Sequence, residues 1–171
     1  DPYAANLSQA IDWLLSVQDE RGVLAGEDAK YIMYNHGIAT LAMCEAYAMT
    51  RDRELIAPAQ LGLNQISQAQ DPVGGGWRYF PGQPGDMTVT GWQLMALRSG
   101  QLAQLRVPRE TLVRATRFLN HLESERGAFY GYMEPGKLPS PTAIGLLMRM
   151  YNGWPREDER LAEGVAYLAD L

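Results

Sequence analysis

The stretch "GGGWRYFPGQPGDMTVTGWQLMALRSG", Gly74 to Gly100, runs a glycine-rich aromatic loop straight into a helix with hardly any polar face. Three consecutive glycines free the backbone, and Trp77, Arg78, Tyr79 and Phe80 follow at once, which is the composition of a tight corner pinned by large rings. Downstream, "VTGWQLMALRSGQLA" (89–103) is apolar almost all round, so it has to be covered on every side. The corner therefore reads as a joint. The rings of Trp77, Tyr79 and Phe80 staple the preceding helix to the one that follows, and the glycines allow the bend.

Working outward from this joint, the same arrangement recurs. Leu55, Pro58, Ala59, Gly62, Leu63 and Ile66 fall at the i, i+3, i+4, i+7 spacing of a one-sided amphipathic helix, with Gln60, Asn64, Gln65 and Gln68 between them. Leu7, Ala10, Ile11, Leu14 and Leu15 repeat the pattern, as do Leu112, Ala115, Thr116, Leu119 and Leu122, and it begins again at Leu161, Val165 and Leu168. Between these lie helices greasy on all sides: "GIATLAMCEAYAM" (37–49), the 89–103 run, and "TAIGLLMRMYNGW" (142–154). The expectation is an all-α helical repeat with a period of roughly fifty residues, two-sided helices forming an inner layer and one-sided helices shielding it. Repeats are placed at 4–50, 55–105 and 112–154, with a further outer helix over 160–171. The linkers agree, since "QAQDPVGGGWRYFPGQPGDM", "ESERGAFYGYMEPGKLPSP" and the looser "QDERGVLAGEDAKYIMYN" all join an outer helix to the next inner one.

Composition bounds the function. At 171 residues, 46% hydrophobic and 20% charged, the chain can bury one sizeable core as a single domain. A net charge of −5, mixed along the chain without a basic stripe, argues against nucleic acid as a partner. No apolar run reaches the roughly 18 residues of a membrane span. The single cysteine, Cys44, cannot form an internal disulfide and reads as a small core residue rather than a nucleophile. The chain opens on Asp1 rather than Met, which reads as a processed or excised piece of a longer chain, so its compartment is not legible.

Gln70, Gly75 and Trp77, in "QDPVGGGW", match the Q-x(2–5)-G-x-W pattern of squalene-hopene and oxidosqualene cyclase repeats, and "GGGWRYF…GDMTVTGW" is similar to the glycine-aromatic corner of protein prenyltransferase β-subunits. The chain as a whole resembles the α/α-toroid these families share, with about three helix pairs, and is similar to bacterial prenyltransferase and squalene oxidase repeat proteins. The first repeat keeps Gln18 and Gly22 without the tryptophan, and the third has Gly127 followed by Phe129 and Tyr130. The resemblance implies an apolar or isoprenoid ligand, with Trp77, Arg78, Tyr79 and Trp92 as the residues that would meet it; no cofactor is expected from this chain's own residues.

The family chemistry does not carry over intact. The cyclases' Asp-x-Asp-Asp acid has no counterpart here, because Asp86 is followed by Met87 and Thr88. The prenyltransferase zinc site needs Asp-x-Cys, and Thr88 stands in the cysteine's place, so no metal is expected. Asp86 and His36 remain as weak catalytic candidates. Asp86, His36, Thr90 and Thr142 all stand at inner-helix starts and read first as helix caps; the second reading places Asp86 as a polar group in a central cavity and His36, Thr90 and Thr142 at a shared ring-mouth site. Arg78 either stacks on a neighbouring ring or binds an anion such as an isoprenoid phosphate. Glu45 either pairs with Arg98 across adjacent inner helices, or Arg98 and Arg149 simply favour the ends of their helices. Met33, Met43, Met49, Met95, Met148 and Met150 fill the core or line an adaptable apolar cavity. The acidic pairs in "GEDAK" and "REDER" read as solvated turns.

Two functional readings stand: a terpenoid-cyclase- and prenyltransferase-like toroid segment binding an apolar or isoprenoid molecule, and a non-enzymatic toroid that binds a protein. The second lacks the Cys-Gly-Glu-Gln thioester of complement-type toroids. Inner helices apolar on two sides predict tight closure, self-association or a longer chain.

Overall fold

A computed structural model describes residues 2–26 and 30–171. Glu27 and Asp28 of "GEDAK" lie outside the described residues. Among the described residues the chain forms seven α-helices: α1 (Ala4–Val17), α2 (Ile32–Thr50), α3 (Ile56–Gln68), α4 (Met87–Leu102), α5 (Arg109–Leu122), α6 (Pro139–Tyr151) and α7 (Glu159–Ala169). The expected all-α class holds, with one addition: β1 (Glu123–Ser124) pairs antiparallel with β2 (Phe129–Tyr130), Glu123 opposite Tyr130, inside the third corner.

The three greasy helices lie side by side. α4 is the centre of the molecule, packed against α2 on one flank and α6 on the other. α3 covers the seam between α2 and α4, α5 packs on α4, and α7 on α6. The amphipathic patterns explain this division. α3 turns Ala59, Gly62, Leu63 and Ile66 inward, and α5 turns Ala115, Phe118, Leu119 and Leu122 inward, while α4 buries residues on nearly every side. Glycines set the closeness of the layers: a Cβ on Gly100 would stand 2.6 Å from Leu63, and one on Gly62 2.8 Å from Thr40. α1 is the exception, an amphipathic helix with no buried residue.

Local chemistry places the helix ends. Asp52 caps the short 3₁₀ turn before α3, Asp86 caps α4 and Asp158 caps α7, each accepting from a backbone N–H of the first turn. α6 begins earlier than its apolar run suggests, because Pro139 and Pro141 fit the first turn, where no N–H is needed. Asp158 is more than a solvated turn residue. It also clamps Arg160 through two side-chain hydrogen bonds of 2.7 and 2.8 Å, and that arginine lies 3.7 Å over the Trp154 ring.

Candidate functional site

The sequence-derived candidates fall into two neighbouring groups, a buried corner and the open face beyond it. In the second corner Trp77 is buried, its indole N–H donating to the Ile66 carbonyl of α3 at 2.8 Å and its backbone N–H to Thr90 Oγ1 of α4 at 2.9 Å. Trp77 is thus the staple between α3 and α4. Gln70 braces the loop with two bonds from Nε2, to the Gly75 carbonyl and to the Thr111 carbonyl of the next outer helix. Gly75 has φ +83° and lies against the backbone of Arg114, so a side chain there is excluded twice over. Gln70, Gly75 and Trp77 therefore act in this chain as a joint.

The other corners reuse the joint with different atoms. In the first, Gln18 bonds the Gly22 and Pro58 carbonyls, Gly22 has φ +91°, and buried Leu24 donates its N–H to His36 Nδ1 at 3.0 Å. In the third, Gly127 has φ +98° and buried Tyr130 donates its N–H to Thr142 Oγ1 at 3.1 Å. Glu123 takes the glutamine's place, accepting from Arg149, whose Nε also donates to the Tyr130 hydroxyl at 2.8 Å. His36, Thr90 and Thr142 are therefore loop clamps and not helix caps, a correction of the sequence reading. Each accepts from the N–H of the residue its corner buries, whereas a cap accepts from its own helix.

His36 has no spare nitrogen. With Nδ1 accepting from Leu24, the proton sits on Nε2, which donates to the Gly62 carbonyl of α3 at 3.1 Å. Burial holds the imidazole down at about 4, outweighing the opposing pull of the Gly62 bond and the Asp19 charge. Cys44 is buried as expected, and burial, helped by Glu45, pushes its thiol up to about 12.

Asp86 combines a cap with a polar cluster. It is fully buried, and its Oδ1 accepts from the Val89 N–H at 2.9 Å and from the Thr88 hydroxyl at 2.8 Å. Thr88 in turn accepts from the Tyr34 hydroxyl of α2 at 2.6 Å. Asp86 Oδ2 has no hydrogen bond and lies 3.8 Å from Arg78 Nε, which also has none. The Arg78 guanidinium lies 5.1 Å from the centre of the Tyr79 ring, so stacking and the Asp86 charge both claim it. Tyr79 packs on Tyr31 and Tyr34, with ring centres 4.7 and 6.2 Å apart, and its hydroxyl meets that of Tyr132 at 3.4 Å. Burial, the Tyr79 bond and the Asp86 charge push the Tyr132 phenol well above the usual tyrosine range. Of the three rings expected to staple α3 to α4, only Trp77 does so. Tyr79 reaches back to α2, and Phe80 is left 42% exposed.

Trp92 begins the open face. On α4, Thr88, Trp92 and Met95 follow helical spacing and stay partly exposed, while Val89, Thr90, Gln93, Leu94, Ala96 and Leu97 around them are buried. Tyr34, Ile38 and Leu41 are the matching stripe of α2, and Ile144 and Leu147 that of α6. The register of α2 on α4 is fixed at both ends by pairs 54 residues apart, Tyr34 with Thr88 and Glu45 with Ser99. Glu45 thus accepts from Ser99 and not from Arg98, whose nearest partner is Gln101 on its own helix. The Glu45–Arg98 pairing is corrected by one residue, a quarter-turn that points Arg98 away from α2. Arg149 does stand in the last turn of α6, as expected of a helix-end charge, and it is also buried against Glu123.

Clefts open elsewhere. One of about 420 Å³ is lined by Ser16, Gln18, Asp19 and Val23 among others, one of about 310 Å³ by Arg126, Asp158, Glu159, Arg160 and Glu163, and one of about 290 Å³ by Arg21, Met33, His36 and Pro81 among others. Trp77, Arg78, Tyr79 and Trp92 line none of the three. Among the described residues no three His, Cys, Asp or Glu side chains gather as a metal set, and no helix is long and apolar enough to cross a membrane. Compared with family models, with curated proteins and with solved structures, the chain finds no match.

Proposed function

We propose that this chain is a terpenoid-cyclase- and prenyltransferase-like repeat domain, its helices forming part of an α/α-toroid, and that it binds an apolar or isoprenoid small molecule on the inner row. The observation that supports this reading is the stripe of exposed Ile38 and half-buried Leu41, Trp92, Met95, Ile144 and Leu147, apolar positions at matching register on three adjacent helices. Trp77 belongs to the joint behind this face, while Tyr79 and Arg78 belong to its polar end.

Native mass spectrometry on protein purified without detergent, followed by titration with an isoprenoid such as farnesol, tests the proposal. A retained lipid-sized mass, or saturable farnesol binding weakened at least tenfold by Trp92→Ala, is the expected result. A ligand-free protein that takes up no isoprenoid would turn the stripe into a protein-binding or self-association surface instead.

A further inference from the structure

Hydrogen bonds at the end of the apolar stripe run in one direction. Asp86 Oδ1 has only lone pairs to offer, so the Thr88 hydroxyl spends its proton on it, and the Tyr34 hydroxyl spends its own on Thr88. The relay leaves the Tyr34 oxygen at its outer end as an acceptor with its donor already used. Tyr34 and Thr88 are also the first members of the two stripes that continue as Ile38 and Leu41 on α2 and as Trp92 and Met95 on α4. The apolar part ends at Glu45 and Ser99, eleven positions further on, or about 16 Å at the rise of an α-helix.

Charge at this pole is already balanced. Asp86 is fully buried with Oδ2 lacking any hydrogen bond, and Arg78 stands 3.8 Å from it. A dianionic head group would meet the Asp86 charge and the acceptor end of the relay, and would have no proton to donate to it. Resting on the proposed isoprenoid-binding reading, we infer that the ligand is an amphiphile with a neutral hydroxyl head, an isoprenoid alcohol rather than a diphosphate, whose O–H donates to the Tyr34 oxygen at the end of the Asp86–Thr88–Tyr34 relay. The Asp86 carboxylate thus selects for a donor two hydroxyls away from itself.

Calorimetric titration of the full chain with farnesol, farnesyl methyl ether and farnesyl diphosphate separates the possibilities. Farnesol binds at least tenfold tighter than the ether, which lacks only the donor, and tighter than the diphosphate. Tyr34→Phe, checked for an unchanged circular dichroism spectrum, lowers farnesol affinity to that of the ether and leaves the ether unaffected. Equal affinity for alcohol and ether, or preference for the diphosphate, overturns the inference while keeping the isoprenoid reading. Failure of all three probes to bind overturns both.

Discussion

At the scale of single residues, His36 shows how a clamp becomes a pH liability. Threonine does the same job in the other two corners with a hydroxyl that cannot ionise. Protonated, His36 would lose the acceptor that holds the Leu24 N–H. Its pKa falls from 6.5 in the unfolded chain to about 4 in the fold, so its contribution is complete above pH 6.5 and is lost as the pH drops toward 4. The loss is on the order of 3 kcal/mol. Titration of the His36 ring followed by NMR is expected to give a midpoint near 4, with urea stability falling over the same interval. A midpoint near 6.5 would show that the ring is not held as described. Asp86 was legible in the sequence as a cap because capping is local. Its hydroxyl relay was not, because Tyr34 reaches Thr88 from 54 residues away.

At the scale of elements, a glycine corner with positive φ joins helices at three places, around Gly22, Gly75 and Gly127, and the glycines of one corner are not equivalent. Gly75 and Gly82 both have positive φ, +83° and +74°, but a Cβ on Gly75 would lie 2.3 Å from the Arg114 carbonyl, while Gly82 has nothing within 4 Å. Gly82→Ala is expected to cost about 1 kcal/mol from backbone strain alone, and Gly75→Ala roughly 3 kcal/mol or more, read by chemical denaturation. Equal losses would mean that α5 does not seat against the loop. The third corner solves the same problem with charge. Arg149 is buried because Glu123 and the Tyr130 hydroxyl satisfy it together, and Gly145 leaves room for the Tyr130 ring. Neither Glu123 nor Arg149 signals this in sequence, since the residues joining them are brought near only by the turn through β1 and β2.

At the scale of the whole molecule, stability should follow position in the row. α4 has neighbours on both flanks and buries ten of its residues, while α1 buries none and touches α2 lightly. Hydrogen exchange read by mass spectrometry is expected to show α1 amides exchanging first and α4 amides last. Equal protection of the two would contradict the packing of the row. The apolar stripe belongs to this scale as well, because it exists only where α2, α4 and α6 are laid side by side.

The sequence by itself determined the helices, their division into one-sided and two-sided kinds, and Trp77 as a ring that pins the glycine corner between α3 and α4, because periodicity and glycine-aromatic turns act over a few residues. Only the tertiary structure decided that His36, Thr90 and Thr142 hold loops, that Glu45 meets Ser99, that Arg149 finds Glu123, and that a polar relay ends an apolar stripe. Helix register explains the difference: a shift of one residue turns a side chain by about 100°, and that shift is set by packing between helices rather than by the pattern along any one of them.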